Sequence, residues 1–134
     1  GTLAPGNSPG EMHFTGSLLM DSTATIQMEL ASSGSFDQIT VDGMFTYDGV
    51  LNITLLGGYF PGVGDTFDLF GAGSVTGGSQ FDAIAFDVAG YDGTLNYGTG
   101  VLTISAVPEP KTLTLVGAAG LVLLMGARRR TGMR

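Results

Sequence analysis

The sequence predicts an all-β domain over residues 1–106, followed by one C-terminal transmembrane helix. Three observations predict it. Apolar and polar residues alternate at period two in several short stretches, as on a half-buried strand. Asp-Gly pairs and Gly-rich segments interrupt those stretches at short intervals. No sustained helical period occurs before residue 107. The composition agrees: Gly is abundant at 23 residues and charged residues make up only 13%, where a helical domain would carry more Lys, Glu and Arg.

Residues 1–10, GTLAPGNSPG, read as a turn-rich lead-in loop or a bend between two rungs. A strand is expected over 17–20. A second follows over 24–30, where Ala24, Ile26, Met28 and Leu30 alternate with Thr25, Gln27 and Glu29. Residues 31–35 read as a loop, and 36–41 as a strand with Ile39 and Val41 on one face. Asp42-Gly43, Asp48-Gly49 and Asp92-Gly93 read as turns. Leu51, Ile53 and Leu55 define another strand. Residues 57–65 form a loop leading into a strand over 66–70, residues 71–79 a second Gly-rich loop, and 81–88 a further strand. An antiparallel hairpin closes the domain. Pairing Tyr97 with Leu102 and Leu95 with Ile104 puts all four side chains on one face, which a one-residue slip would scatter.

Many short strands with Gly and Asp turns fit a parallel β-helix-like winding, with an antiparallel β-sandwich as the alternative. Strands buried on both faces read as continuous apolar runs. Alternation fits a sandwich, but it also fits coils with one face in the core and one in water. Periodicity leaves both open.

Charge divides the chain. All five Lys and Arg residues lie at 111, 128, 129, 130 and 134, whereas all twelve carboxylates lie within residues 1–110. An acidic domain without Lys or Arg has nothing to replace phosphate counterions, so no nucleic-acid partner is expected. The absence of Cys excludes disulfides, thiol catalysis and thiolate metal sites. Residue 1 is Gly and no basic-then-apolar leader opens the chain, so it is expected to begin inside a longer precursor.

Residues 107–134 form a separate unit. Val107-Pro108-Glu109-Pro110 breaks any strand, because two alternate prolines remove two backbone donors and hold the chain extended, clear of the β domain. Residues 113–127 are uncharged and apolar on every face. As a helix they span ~22 Å, short of the ~30 Å hydrocarbon core. Lys111 and Arg128 can snorkel to extend that reach. Arg128, Arg129 and Arg130 open a basic tail over 128–134, which the positive-inside rule assigns to the cytoplasm with the acidic domain outside. A buried core helix would show a polar face, and this run has none.

A Pro-Glu-Pro motif, a short apolar span and a terminal Arg cluster, in that order, resemble the PEP-CTERM sorting signal. The resemblance covers about the last quarter of the chain. It implies that Pro108, Glu109 and Pro110 are the sorting motif read by an exosortase-type membrane enzyme of a Gram-negative, exopolysaccharide-producing bacterium. The implied location is the inner membrane during sorting, then the cell surface or extracellular matrix. A second resemblance lies in residues 3–10 and in 58–61 with 64–69, which are similar to repeat junctions of autotransporter passenger β-helices. It favours the β-helix-like alternative and implies nothing about catalysis.

The catalytic inventory is thin. His13 is the only histidine and reads as a surface residue. Asp37, Asp42, Asp48, Asp65, Asp82 and Asp92 mostly adjoin Gly or turn positions, where Asp bonds its own backbone. Calcium is the one cofactor for which Asp and Asn in Gly-rich loops supply ligands, though Gly77-Gly78-Ser79-Gln80-Phe81-Asp82 lacks the third Gly of the repeat-toxin pattern. Tyr47, Tyr59, Tyr91 and Tyr97 serve either sugar stacking or packing. The expectation is an exported, non-enzymatic surface or matrix protein with a structural or adhesive role. Its expected partners are the membrane, an exosortase-type enzyme and exopolysaccharide. The alternative is an exported protein that binds or degrades polysaccharide.

Overall fold

The computed structural model describes residues 1–109. Twelve strands follow in order: β1 (Thr2–Leu3), β2 (Glu11–Phe14), β3 (Leu18–Leu19), β4 (Thr25–Ser32), β5 (Ser35–Phe36), β6 (Gln38–Thr46), β7 (Val50–Leu55), β8 (Thr66–Asp68), β9 (Phe70–Val75), β10 (Ala83–Phe86), β11 (Asp92–Asn96) and β12 (Val101–Ala106). The fold is all-β, with no helix among the described residues. The expected transmembrane helix over 113–127 lies outside them.

Three sheets result. The first runs β1-β4-β7-β10, all parallel, with β5 antiparallel on β4. In the second, β2, β3 and β9 all pair parallel to β6. The third is the antiparallel order β11-β12-β8. The chain alternates between the first two sheets, so each pass through both makes one coil and successive coils stack.

Register explains the alternation seen in the sequence. Inward positions stack coil on coil: Leu3 on Ile26 on Leu51 on Ile84, and Met28 on Ile53 on Phe86. In the second sheet Met12 stacks on Ile39 and Phe70, and Leu18 on Phe45 and Val75. Ile26, Met28, Ile39, Phe45 and Leu51 are fully buried, each burial contributing ~1.5–3 kcal/mol. The outward residues Gln27 and Asn52 form the opposite ladder.

Four local expectations are corrected. Asp42-Gly43 is not a turn: β6 runs through it, with a register shift against β9 between Val41 and Met44. Gly43 donates its N–H to the Gly16 carbonyl at 2.9 Å, and a Cβ on Gly73 would collide with the Asp42 carbonyl. These glycines allow coils to approach closely. Asp92-Gly93 likewise lies in a strand, at a register irregularity of β11. The Gly-rich stretch from residue 71 is no loop until β9 ends at Val75, because pairing with β6 sets its conformation. The closing hairpin exists, but Leu95 rather than Tyr97 faces Leu102. Asn96 is the cause: its Oδ1 accepts N–H groups from Gly98 (2.9 Å) and Thr99 (3.1 Å), which draws Tyr97 into the turn. The two-residue shift keeps Leu95, Leu102 and Ile104 on the buried face. Asp48-Gly49 is a bend, as expected.

Candidate functional site

β12 ends at Ala106, and the chain leaves the domain through Val107, Pro108 and Glu109. Contrary to the expectation that the prolines keep this segment clear of the β domain, Val107 and Pro108 are half-buried on it. They line a cleft of about 350 Å³ together with Phe60, Pro61, Gly62 and Tyr91. Gly90 abuts the proline so closely that a Cβ there would lie 2.8 Å from Pro108 Cα. The reason is local: a proline ring offers an apolar face and no N–H, so it packs where a ladder cannot continue. Glu109, the next residue along the chain, is exposed. Pro110, Arg128, Arg129 and Arg130 lie outside the described residues.

The cleft wall is held by Tyr91, whose hydroxyl donates to the Pro61 carbonyl at 2.8 Å. Its ring stacks on Phe86 with centroids 5.7 Å apart. Burial, then the Asp65 carboxylate, pushes the Tyr91 phenol above its ordinary range, so the donor proton is kept. Tyr59 is raised by the same causes, with Tyr91 adding to them. Phe60, which lines the cleft, is 62% exposed, and Val63, three residues on, is 63% exposed.

Elsewhere several carboxylates accept main-chain N–H groups. Asp48 and Asp92 each accept the N–H of the following glycine at 2.8 Å. Asp65 accepts the Gly62 N–H at 2.8 Å, and Asp87 the Leu55 N–H at 3.1 Å. Asp21 caps Thr23, whose hydroxyl and then N–H hold its carboxyl below the usual range. Asp37 is different. It is 1% exposed and accepts N–H groups from Gly10 (2.6 Å) and Glu29 (2.8 Å). Burial outweighs both bonds and raises its pKa, with the Glu29 carboxylate adding to the rise. Glu29 Oε1 is itself buried without a hydrogen-bond partner among the described residues. Asp37 falls within the strand expected over 36–41, among aspartates that mostly adjoin Gly or turn positions. Its position just before β6, beside a coil-to-coil junction, was not visible in spacing.

His13 is a surface residue, as expected, but not an isolated one: its Nε2 lies 2.8 Å from Asp42 Oδ1 across β2 and β6, both side chains being 57% exposed. The pair borders a groove of about 290 Å³ lined by Glu11, Met12, His13, Gln38 and Thr40. Among the described residues no group of three or more His, Asp or Glu side chains is placed to hold a metal ion. Tyr47 is buried in an aromatic cluster, stacked on Phe45 at 4.1 Å and edge-on to Phe70, Phe81 and Tyr97. It has no face free for a sugar. The Tyr97 hydroxyl accepts the Phe81 N–H at 3.0 Å, so it too is committed to packing.

No protein-family model matches this chain, and no curated protein or solved structure is significantly similar to it.

Proposed function

We propose that this chain is an exported surface or extracellular-matrix protein, delivered by a C-terminal PEP-CTERM-type sorting signal and serving a structural or adhesive role. Its domain is a short parallel β-helix-like solenoid with an antiparallel lid made by β8, β11 and β12. The observation that carries the reading is the order of parts after β12: a Pro-Glu-Pro motif, an uncharged apolar run over 113–127, and Arg128, Arg129 and Arg130. Each part has a physical task. The motif is the handle for an exosortase-type enzyme, the run spans the inner membrane, and the arginines stop transfer on the cytoplasmic side. The exposure of Glu109 at the chain exit supports its role as the recognised side chain.

A structural role suits the domain for a further reason. Seven of its carboxylates accept hydrogen bonds from main-chain or turn groups or from His13, so they serve the fold before any substrate. Exopolysaccharide is the expected surrounding, and no dedicated cofactor is proposed. Reporter fusions test the topology. A periplasmic reporter joined before residue 1 is active and a cytoplasmic reporter joined after Arg134 is active. The reverse pattern would overturn the assignment. Neutralising Arg128, Arg129 and Arg130 weakens retention, each arginine contributing ~1 kcal/mol near an anionic leaflet.

A further inference from the structure

Two large apolar side chains are left exposed beside the chain exit, and nothing among the described residues covers them. Phe60 and Val63 sit on the segment between β7 and β8 and are each more than three-fifths exposed. The segment is built rather than loose. The Tyr59 N–H donates to the Leu56 carbonyl at 2.9 Å, and the Gly64 N–H to the Ile104 carbonyl at 2.9 Å. The Asp65 carboxylate accepts the Gly62 N–H at 2.8 Å. Tyr59 turns inward onto Phe67 and Pro61 is buried, so Phe60 between them is held outward. Phe60 also lines the cleft that holds Val107 and Pro108.

The chain beyond the cleft says what covers this face. Only four residue steps separate Glu109 from Leu113, where the apolar run begins. Fully extended, they reach at most about 14 Å. Counted from Pro108, the last residue lining the cleft, five steps reach at most about 18 Å, so the cleft lies within that distance of wherever the run enters a bilayer. Tethering gives the two side chains a high effective concentration at the surface, so even weak insertion is populated. Charge selects the lipid. The domain carries Asp65 and Glu109 near this face and no Lys or Arg before residue 111, so an anionic surface repels it.

The geometry points to Phe60 and Val63 as a docking patch for a neutral, zwitterionic lipid interface, one that seats the domain on the bilayer with the Pro-Glu-Pro motif at the membrane surface. The inference rests on residues 113–127 being a membrane span. Docking fixes the height and orientation of Glu109, which a sorting enzyme embedded in the same bilayer requires.

The protein has no tryptophan, so a Phe60→Trp replacement in the full chain introduces a single indole. The chain is reconstituted into phosphatidylcholine vesicles, and its retention after an alkaline carbonate wash is measured on the same sample. Docking predicts a blue-shifted indole whose emission falls about twofold when the lipid is brominated near the headgroup end of its chains, the depth reached by interfacial side chains. A Leu19→Trp chain is the control, since Leu19 is 77% exposed on β3, in the first coil and away from the exit. Its emission stays unchanged. A retained chain whose position-60 indole is not quenched overturns the docking patch and leaves the sorting reading standing. A blue shift that depends on protein density but not on bromination assigns the patch to a second copy and also overturns it. Stronger quenching of the Leu19→Trp chain places another face on the membrane, with the same consequence. A chain removed by carbonate overturns the membrane span and the docking together.

Discussion

Asp37 shows how a scarce charge is used in this domain. Its carboxylate joins two coils by accepting the N–H groups of Gly10 and Glu29. Asp37→Ala leaves both donors unsatisfied, and the expected loss is roughly 2–4 kcal/mol, read as a lower urea midpoint at unchanged slope. The pH dependence follows from the raised pKa. Below the ordinary value of 3.8 the group is protonated in both states. As pH rises from there to the higher folded-state value, the native protein still holds a proton that the unfolded chain has released. Stability therefore falls with rising pH across that window and is flat above it. Wild type should lose part of its advantage over Asp37→Ala as pH rises through the window, and a gap that widens contradicts the assignment. Asp21, whose pKa is lowered, acts with the opposite sign below 3.8 and is present in both proteins. Glu109, the proposed recognition residue, was legible as a candidate because it belongs to a local pattern. Asp37 was not, because its partners are 8 and 27 positions away. The same distance hid the His13 and Asp42 pair, 29 positions apart.

Elements were legible where one face alone is buried. β4 and β7 alternate cleanly, and both form close to where alternation places them. β9 is not visible in the sequence because Gly71, Ala72 and Gly73 carry no alternation, and only the neighbouring β6 makes them a strand. Asp-Gly misled twice for a related reason. The pair signals a turn in an isolated hairpin, but here Gly43 permits close approach to the Gly16 backbone, and Gly93 sits within a strand against the Leu102 side chain and the Thr103 carbonyl. The hairpin register missed by two residues because the Asn96 side chain, not strand pairing, fixes the turn. Gly100 is the hinge of that lid. It has φ of 77°, and its carbonyl accepts the N–H groups of Leu69 (3.1 Å) and Phe70 (3.2 Å). A Cβ there would collide with the Phe70 carbonyl. Gly100→Val is expected to destabilise the domain by roughly 2–4 kcal/mol through left-handed strain and the clash together. Thermal unfolding followed by circular dichroism measures it, and an unchanged midpoint contradicts the account of the lid.

At the scale of the whole molecule, the all-β class was legible from periodicity, whereas periodicity left parallel and antiparallel pairing open and only the resemblance of the Gly-rich segments favoured the parallel strands. Rung partners Thr2, Thr25, Val50 and Ala83 are 23, 25 and 33 residues apart, so no fixed repeat length marks the coils. The inserted segments that lengthen the last interval include the one carrying Phe60 and Val63, beside the exit cleft. Residues 1–106 expressed alone should give a circular dichroism spectrum dominated by β-structure, and a helical spectrum contradicts the fold. The cleft also changes how the proposed sorting motif is presented. Val107 and Pro108 are fixed on the domain, so Glu109 stands at a set position with little conformational freedom left to lose on binding. Processing of the full chain in a host with an exosortase-type enzyme tests this most directly, comparing wild type with Glu109→Ala on a gel. The account predicts that wild type loses its tail while the variant keeps it, with identical thermal unfolding of the β domain in both. Equal loss of the tail from the two chains would contradict the assignment of Glu109 as the recognised residue, and with it the sorting function.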